Sequence, residues 1–321
     1  MKIIFIGTPE FGAIILKKLV ENKYKPVLIV TAPDKPIGRK QILTPPPIKV
    51  LAEKYEIQVL QPEKLSMIIE QLSSLNPDLI IVAAYGKILP KEILDIPKKG
   101  CLNIHPSLLP KWRGPSPIQY AILNGDKKTG VTIILMDEKT DHGSIVNQRT
   151  LEIEENETST ALYDKLANLG AGLLMETIPK WQKGMLKVRA QDETKATFTK
   201  ILTREDGRII WKKTADDLLK QIKAFDYWPG SFFFWKKRND QMARIKISKA
   251  RFFKSIGGIS YPIGKTLVVP QNEIGVQCGK AFLDGGGDFL VIERLQMEGK
   301  DEMSPEEFIR GHPDFIGTIL K

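Results

Sequence analysis

Five short runs of branched apolar residues alternate with longer amphipathic segments over the first third of the chain. The runs are KIIFI (2–6), PVLIV (26–30), IQVL (57–60), LIIVAA (79–84) and CLNIH (101–105). Between them lie helical patterns such as FGAIILKKLVENK (11–23), PIKVLAEKY (47–55) and KLSMIIEQLSSL (64–75). Strands this dense in apolar side chains are covered on both faces, and strands that alternate with helices of about ten residues pair in parallel through helical crossovers. VTIILMD (131–137) and SIVNQRTLEI (144–153) read as two further strands joined by a turn around EKTDHG, and residues 158–184 read as a long closing helix. The expectation is an α/β domain: a Rossmann-like, mostly parallel sheet with helices on both faces, spanning 1–187.

Beyond about residue 185 the chain turns polar and irregular in LKVRAQDETKATFTK, and 188–205 reads as a linker. A helix over TADDLLKQIKAF (214–225) follows. Then come strand-like runs broken by Gly and Pro: FFFW, ARIKISKARFF, TLVVP, GVQCG and FLVIERLQ. Short strands separated by turn signals suggest a small β-barrel or sandwich over 206–321.

No apolar run approaches the ~20 residues of a membrane-spanning helix, and the apolar start MKIIFIG is too short for a secretory signal. The two cysteines, Cys101 and Cys278, lie far apart, which suits a reducing cytoplasm and offers no zinc-ligand pair. The net charge of +10 favours a polyanionic partner. Its distribution is more informative than its total. Residues 201–254 carry fourteen Lys and Arg against six Asp and Glu, a local +8, whereas 270–321 carry five against ten, a local −5. A concentrated basic segment suits nucleic acid.

Ligands of parallel sheets sit at the carboxyl ends of strands. Asn103 and His105 stand there on the fifth run, and their spacing of two puts both side chains on one face. Asp141 lies in the polar turn after the next strand. A carboxylate, an imidazole and an amide converging at one sheet edge could form an acid–base pair with an oxyanion donor. No Ser or Cys sits in a nucleophile elbow. Cys101 shares the strand face of Asn103 but reads as a small buried hydrophobe. A metal site of Cys101, His105 and His142 has no ligand spacing to recommend it. FIGTPEFG (5–12) lacks the glycines of a dinucleotide fingerprint and reads as a plain strand-to-helix turn.

Two basic features stand apart. The Pro-rich stretch TAPDKPIGRKQILTPPPIK (31–49), basic at Lys35, Arg39, Lys40 and Lys49, is too long for an idle connection in a compact domain and reads as an arm toward an anionic partner. WPGSFFFWKKR (228–238) interleaves aromatics with cations. The cations Lys236, Lys237 and Arg238 are assigned to phosphate contacts, and most of the aromatics to packing.

Taken together, FIGTPEFG, AAYGKILP (83–90), NIHPSLLPKWRGPSPIQ (103–119) and TGVTIILMDEKTDHG (129–143) resemble the folate-dependent formyltransferases over essentially the whole chain. The arm TAPDKPIGRKQ and the basic β-rich C-terminal part narrow the resemblance to the branch that acts on methionyl-tRNA. In that branch the formyl group of 10-formyltetrahydrofolate passes to the α-amino group of methionine on initiator tRNA. The resemblance implies a catalytic trio of Asn103, His105 and Asp141. It places the folate against Tyr85, Gly86, Lys87, Ile88 and Leu89 and against Ser107, Leu108, Leu109 and Pro110, and it sends Arg39 toward the acceptor stem. It also implies direct transfer without a metal, a C-terminal barrel of OB-like kind that binds tRNA, and a cytoplasmic monomer. His142 departs from the small residue usual after the catalytic Asp and reads as solvent-facing, with tuning of Asp141 as the alternative. Two rivals remain open: a formyltransferase for an amino sugar or purine precursor, which would need neither arm nor basic segment, and a non-catalytic RNA-binding protein.

Overall fold

The computed structural model describes every residue except 39, 239, 256–260, 270–272, 280–286 and 321. The chain divides into two compact units. One comprises Met1–Ile118, Lys127–Glu154 and Ala161–Ile201, and the other Gln119–Asp126, Glu155–Thr160 and Leu202–Lys321. The segment that the sequence marks as a linker, 188–205, is therefore drawn into the first unit as far as Ile201.

The first unit is built on a seven-stranded sheet. Its strands are β1 (Ile3–Gly7), β2 (Leu28–Val30), β5 (Val59–Leu60), β6 (Leu79–Ala83), β7 (Cys101–His105), β8 (Lys128–Leu135) and β9 (Ser144–Glu152), in the order β5-β2-β1-β6-β7-β8-β9. The first five pair in parallel, while β8 runs antiparallel to β7 and β9 antiparallel to β8. All seven strand runs read from the sequence are present. The connecting helices are α1 (Glu10–Glu21), α2 (Pro47–Lys54), α3 (Ile69–Ser74) and α4 (Lys91–Leu94), and α6 (Ser159–Gln182) closes the unit; of α5 (Pro117–Leu123) only Pro117 and Ile118 belong to it. The arm carries what the sequence pattern did not show, an exposed two-stranded hairpin of β3 (Lys35–Ile37) and β4 (Ile42–Thr44). At the arm's base Asp34 accepts from Lys49 at 2.8 Å and from Gln61 at 2.6 Å.

Strand alternation sorts the core onto two faces. Ile4 and Ile6 of β1, Leu28 and Val30 of β2, Ile80 and Val82 of β6 and Cys101 of β7 share one cluster with Leu65, Leu72 and Ile93. Asn103 and His105 follow Cys101 on that face. Ile104 faces the other way, toward α6, where a Cβ on Gly170 would lie 2.9 Å from its Cγ2. The strand-to-helix turn after β1 is a packing device rather than a phosphate loop. A Cβ on Gly7 would come within 2.5 Å of the Ala83 carbonyl oxygen and 2.8 Å of Ile48 Cδ1.

The second unit has a six-stranded antiparallel sheet. β10 (Ser231–Lys236), β11 (Met242–Ser255), β14 (Gly287–Met297), β13 (Glu273–Cys278) and β12 (Thr266–Val269) pair in that order, with β15 (Glu302–Met303) on β14. The sheet shares one core with α7 (Ala215–Ala224) and α8 (Pro305–Gly311), including Leu218, Ile245, Ile292 and Phe308. Phe232, Phe233 and Trp235 are buried, Trp235 against Phe308 and Phe315, so most of the aromatics of the interleaved segment serve packing, while Phe234 is half-buried and Trp228 exposed.

Gly7→Ala should lower stability by ~1–3 kcal/mol, since neither a strand carbonyl nor a packed Ile can withdraw freely. Gly172→Ala, in α6 with open space around the added methyl, should raise it by ~0.5–1 kcal/mol through helix propensity. Urea denaturation of both variants beside the parent reads the contrast, and equal effects would contradict the packing account.

Candidate active site

β7 ends at His105, and the chain then turns through Pro106 to Gly114 before α5 begins. Two residues of this turn hold a left-handed backbone, Trp112 at φ +63° and Gly114 at φ +107°. A non-glycine residue reaches that region at a cost and stays there only when its surroundings hold it. Here the turn is tied down on both sides. Ser107 Oγ donates to the Lys111 carbonyl at 2.6 Å, and Trp112 N donates to Thr197 Oγ1 at 2.8 Å. At Gly114 a side chain is excluded twice over, by its φ and by the Thr199 carbonyl oxygen, 2.7 Å from where a Cβ would stand.

The turn returns two backbone groups to the trio. The Trp112 carbonyl lies 3.0 Å from His105 Nε2. A carbonyl only accepts, so Nε2 carries the hydrogen, and Nδ1 is left as the basic atom of the neutral ring. Gly114 N donates to Asp141 Oδ2 at 2.8 Å. The other carboxylate oxygen, Oδ1, accepts from Asn103 Nδ2 at 3.3 Å and lies 3.5 Å from His105 Nδ1. His105 is 5% exposed, and its neighbour Asp141 keeps only a small open face. Asn103, His105 and Asp141 thus meet as the sequence pattern anticipated, but the orienting contact on the imidazole comes from a main-chain oxygen rather than from the carboxylate.

Asp141 reaches this point by an indirect route. Because β8 is antiparallel to β7, with Leu135 opposite Leu102, the 136–143 loop leaves the sheet beside the beginning of β7. It folds back about 7–13 Å along the strand to bring Asp141 to Asn103 and His105. Asp141 itself has φ +49°. The loop is held by a residue from the supposed linker: Gln191 Nε2 donates to the carbonyl oxygens of Asp141 and Gly143, both at 2.8 Å. Gln191 Oε1 accepts in turn from Arg113 Nε and Nη2 at 3.0 and 2.8 Å. Arg113, 2% exposed, also makes a two-pronged pair with Glu193 at 2.6 and 3.0 Å. Its hydrogen bonds are the chief reason the Glu193 carboxyl is held below the usual carboxylate range, with the charges of Arg113, His142 and Lys139 adding to them against the cost of desolvation. His142 does not simply face solvent: its Nδ1 lies 2.5 Å from Asp137 Oδ2 and its Nε2 3.5 Å from Glu193 Oε1.

A cleft of ≈ 620 Å³ opens over the trio. Its wall includes Tyr85, Gly86, Lys87, Ile88 and Leu89 from the loop after β6, Met136 to Asp141 from the β8–β9 loop, and Pro9, Gly114, Thr199 and Ile201. Ser107, Leu108, Leu109 and Pro110, expected on the same wall, are not on it. Ser107 and Leu109 point into the protein, where Leu109 packs with Ile134 and Ile145. Thr132 Oγ1 donates to the Ser107 carbonyl and accepts from Leu109 N. Within SLLP, Ser107 and Leu109 are thus held by buried contacts, while Leu108 and Pro110 are half-buried. The Tyr85 hydroxyl is buried without a hydrogen-bond partner among the described residues, and burial pushes its pKa up, so it stays protonated.

Of the basic residues singled out, Lys35 and Lys40 are exposed on the arm hairpin, while Arg39 lies outside the described residues. Lys236 pairs with Asp240 at 2.7 Å, Arg238 approaches Asp314 at 3.8 Å, and Lys237 Nζ lies 5.9 Å from the centre of the Trp235 ring. Cys101 and Cys278 are both buried, which pushes each thiol up to about 12. At pH 9 roughly one thiol in a thousand would be thiolate. Both should therefore resist alkylation in the folded protein until the pH nears 12, and react at once in urea; mass spectrometry after iodoacetamide at pH 8.5 reads this, and rapid labelling of folded protein would contradict it.

Comparison with known proteins gives the family. Residues 1–178 match the formyl transferase family model and residues 201–313 match the formyl transferase C-terminal domain. A methionyl-tRNA formyltransferase of Bacillus velezensis is 43% identical, covering 99% of this chain and 97% of its own. One from Caldanaerobacter subterraneus is 41% identical over 100% of both chains. Among solved structures, an N-formyltransferase from Helicobacter canadensis, in complex with folinic acid and dTDP-3-aminofucose, superposes with a TM-score of 0.65 at 19% identity, covering 91% of this chain and 99% of that one. The sugar 3N-formyltransferase WlaRD gives 0.64 at 19% identity, covering 91% and 97%; these two share the fold. With both domains matched and full-length relatives above 40% identity, the chain belongs to the methionyl-tRNA formyltransferase family.

Proposed function

We propose that this chain transfers the formyl group of 10-formyltetrahydrofolate to the α-amino group of methionyl-initiator tRNA, acting as a monomer in the cytoplasm. The observation that carries the reading is likeness along the whole length. The relatives named for methionyl-tRNA match both domains at once, whereas the sugar formyltransferases match at 19% identity. Among the described residues no helix is long and apolar enough to cross a membrane, in keeping with that location.

The cleft suits the folate. Its volume lies within the range typical of small-molecule sites, and its wall combines apolar side chains such as Val82, Ile88, Leu89 and Met136 with a few convergent polar groups. Tyr85 supplies one such group, a buried hydroxyl in want of a partner. The bound folate brings the formyl group, and the residues around it manage charge and protons. As a neutral amine attacks the formyl carbon, negative charge gathers on the formyl oxygen. Asn103 faces this change with an amide that carries two N–H groups, only one of which its contact with Asp141 can occupy. His105 takes the proton from the attacking nitrogen at Nδ1, the atom that the Trp112 carbonyl leaves basic, and returns one to the departing nitrogen. Asp141, 3.5 Å from Nδ1, favours the ring while it is charged. Lys35, Arg39 and Lys40 of the arm, with the cations of the second unit, meet the tRNA phosphates.

His105→Ala should lower kcat for methionyl-tRNA formylation by ~10²–10⁴-fold, and Asn103→Ala by ~10²–10³-fold. Steady-state assay with charged initiator tRNA reads both; transfer to an amino sugar and not to the tRNA would overturn the assignment. Replacing Lys35 and Lys40 together by Ala should weaken tRNA use and flatten its dependence on log salt by about 1–2, with the folate KM unchanged. An equal rise in both KM values would count against the arm.

A further inference from the structure

Residues 188–201 run as a strap across the first unit, tied at both ends by main-chain exchanges. Ile145 N donates to the Arg189 carbonyl at 2.8 Å, and Arg189 N donates back to that of Ile145 at 2.9 Å. At the far end Arg113 N donates to the Thr197 carbonyl and Thr199 N to that of Arg113, both at 2.8 Å. Between these anchors Gln191 spans the gap to the active-site loop, and Glu193 beside it lies 3.5 Å from His142 of the same loop. Gln191 gives its N–H groups to two carbonyls of that loop and takes two N–H groups from Arg113. Its orientation is unambiguous, since carbonyls only accept and a guanidinium only donates.

Arg113 is the common point. The residue before it offers the carbonyl that holds His105, and the residue after it offers the N–H that holds Asp141. Its own side chain, buried and anchored bidentately on Glu193, reaches through Gln191 to the backbone of Asp141. We infer that Arg113 and Gln191 are positioning residues that set the separation of His105 and Asp141, and that the strap is thereby part of the catalytic apparatus. Neither residue touches the reacting atoms. Their role is to hold a left-handed Asp141, carried on a loop that enters from the wrong end of β7, at the place where its carboxylate meets Asn103 and His105. This inference rests on the catalytic roles assigned to that trio.

A double-mutant cycle on the full chain separates a positioning role from a merely structural one. Gln191→Ala should lower kcat for formylation by ~10–100-fold, the scale of a misplacement of about an ångström, with KM for folate and for tRNA within threefold of the parent. In an Asp141→Ala background, itself strongly impaired, the same change should cost less than twofold, because the group it positions is gone. Gln191→Glu keeps the acceptor for Arg113 but sets a carboxylate against two carbonyls, and should lose at least as much kcat as Gln191→Ala. Circular dichroism and thermal melting identify any variant that fails to fold, in which case Gln191→Glu is read alone. Parent-like kcat in Gln191→Glu, or an equal fold-loss from Gln191→Ala in both backgrounds, would overturn the positioning role. If Asp141→Ala itself left kcat intact, the catalytic reading would fall instead, and the inference with it.

Discussion

The turn from Pro106 to Gly114 is the constraint on which the site depends. A parallel strand ends at His105, and within nine residues the backbone doubles back far enough for a carbonyl to reach the imidazole and an N–H to reach the facing carboxylate. Both contacts come from the main chain and therefore do not vary with side-chain rotamers. The turn pays for them with left-handed conformations at Trp112 and Gly114, and hydrogen bonds to Thr197 and from Thr199 hold it there. A proton carrier needs a defined tautomer as much as a suitable basicity. The Trp112 carbonyl supplies that definition for His105, and in the proposed mechanism it leaves Asp141 free to act on charge rather than on orientation.

The polar segment after α6 acquires its meaning from that turn. Considered alone, residues 188–201 have no apolar period and bury little. Against the turn they supply a β-bridge at Arg113, a hydroxyl at Thr197 and an amide at Gln191 that joins the turn to the Asp141 loop. The loop needs this support because the antiparallel β8 delivers it to the far end of β7. Arg113 suits the task in a way that Lys would not, because its planar fork binds a carboxylate bidentately while Nε serves a second acceptor. His142, wedged between Asp137 and Glu193, belongs to the same polar cluster.

Much of the fold was legible from residue patterns. Dense apolar runs located all seven strands of the first sheet, and period-3.6 hydrophobicity the helices α1, α2, α6 and α7, because both record what is buried. The pair Asn103 and His105 was legible because strand parity fixes a shared face. The burial of Cys101 and of Phe232, Phe233 and Trp235 in β10 also followed from their setting in apolar strands. The arm hairpin was not legible: β3 and β4 are exposed on both faces and carry no burial period.

Residue identity and pattern fix the set of chemical groups, the strand on which two of them stand and the family to which the motifs point. The tertiary structure alone decided how those groups are used. Ser107 and Leu109 of SLLP, contiguous with β7, turned inward, because they find partners in Thr132 and Ile134. Gln191, fifty residues beyond Asp141, became its support. Local sequence records burial and turn chemistry, which act over a few residues. Contacts such as those of Arg113 with Gln191 depend on where distant segments cross, and no period in either segment announces that crossing.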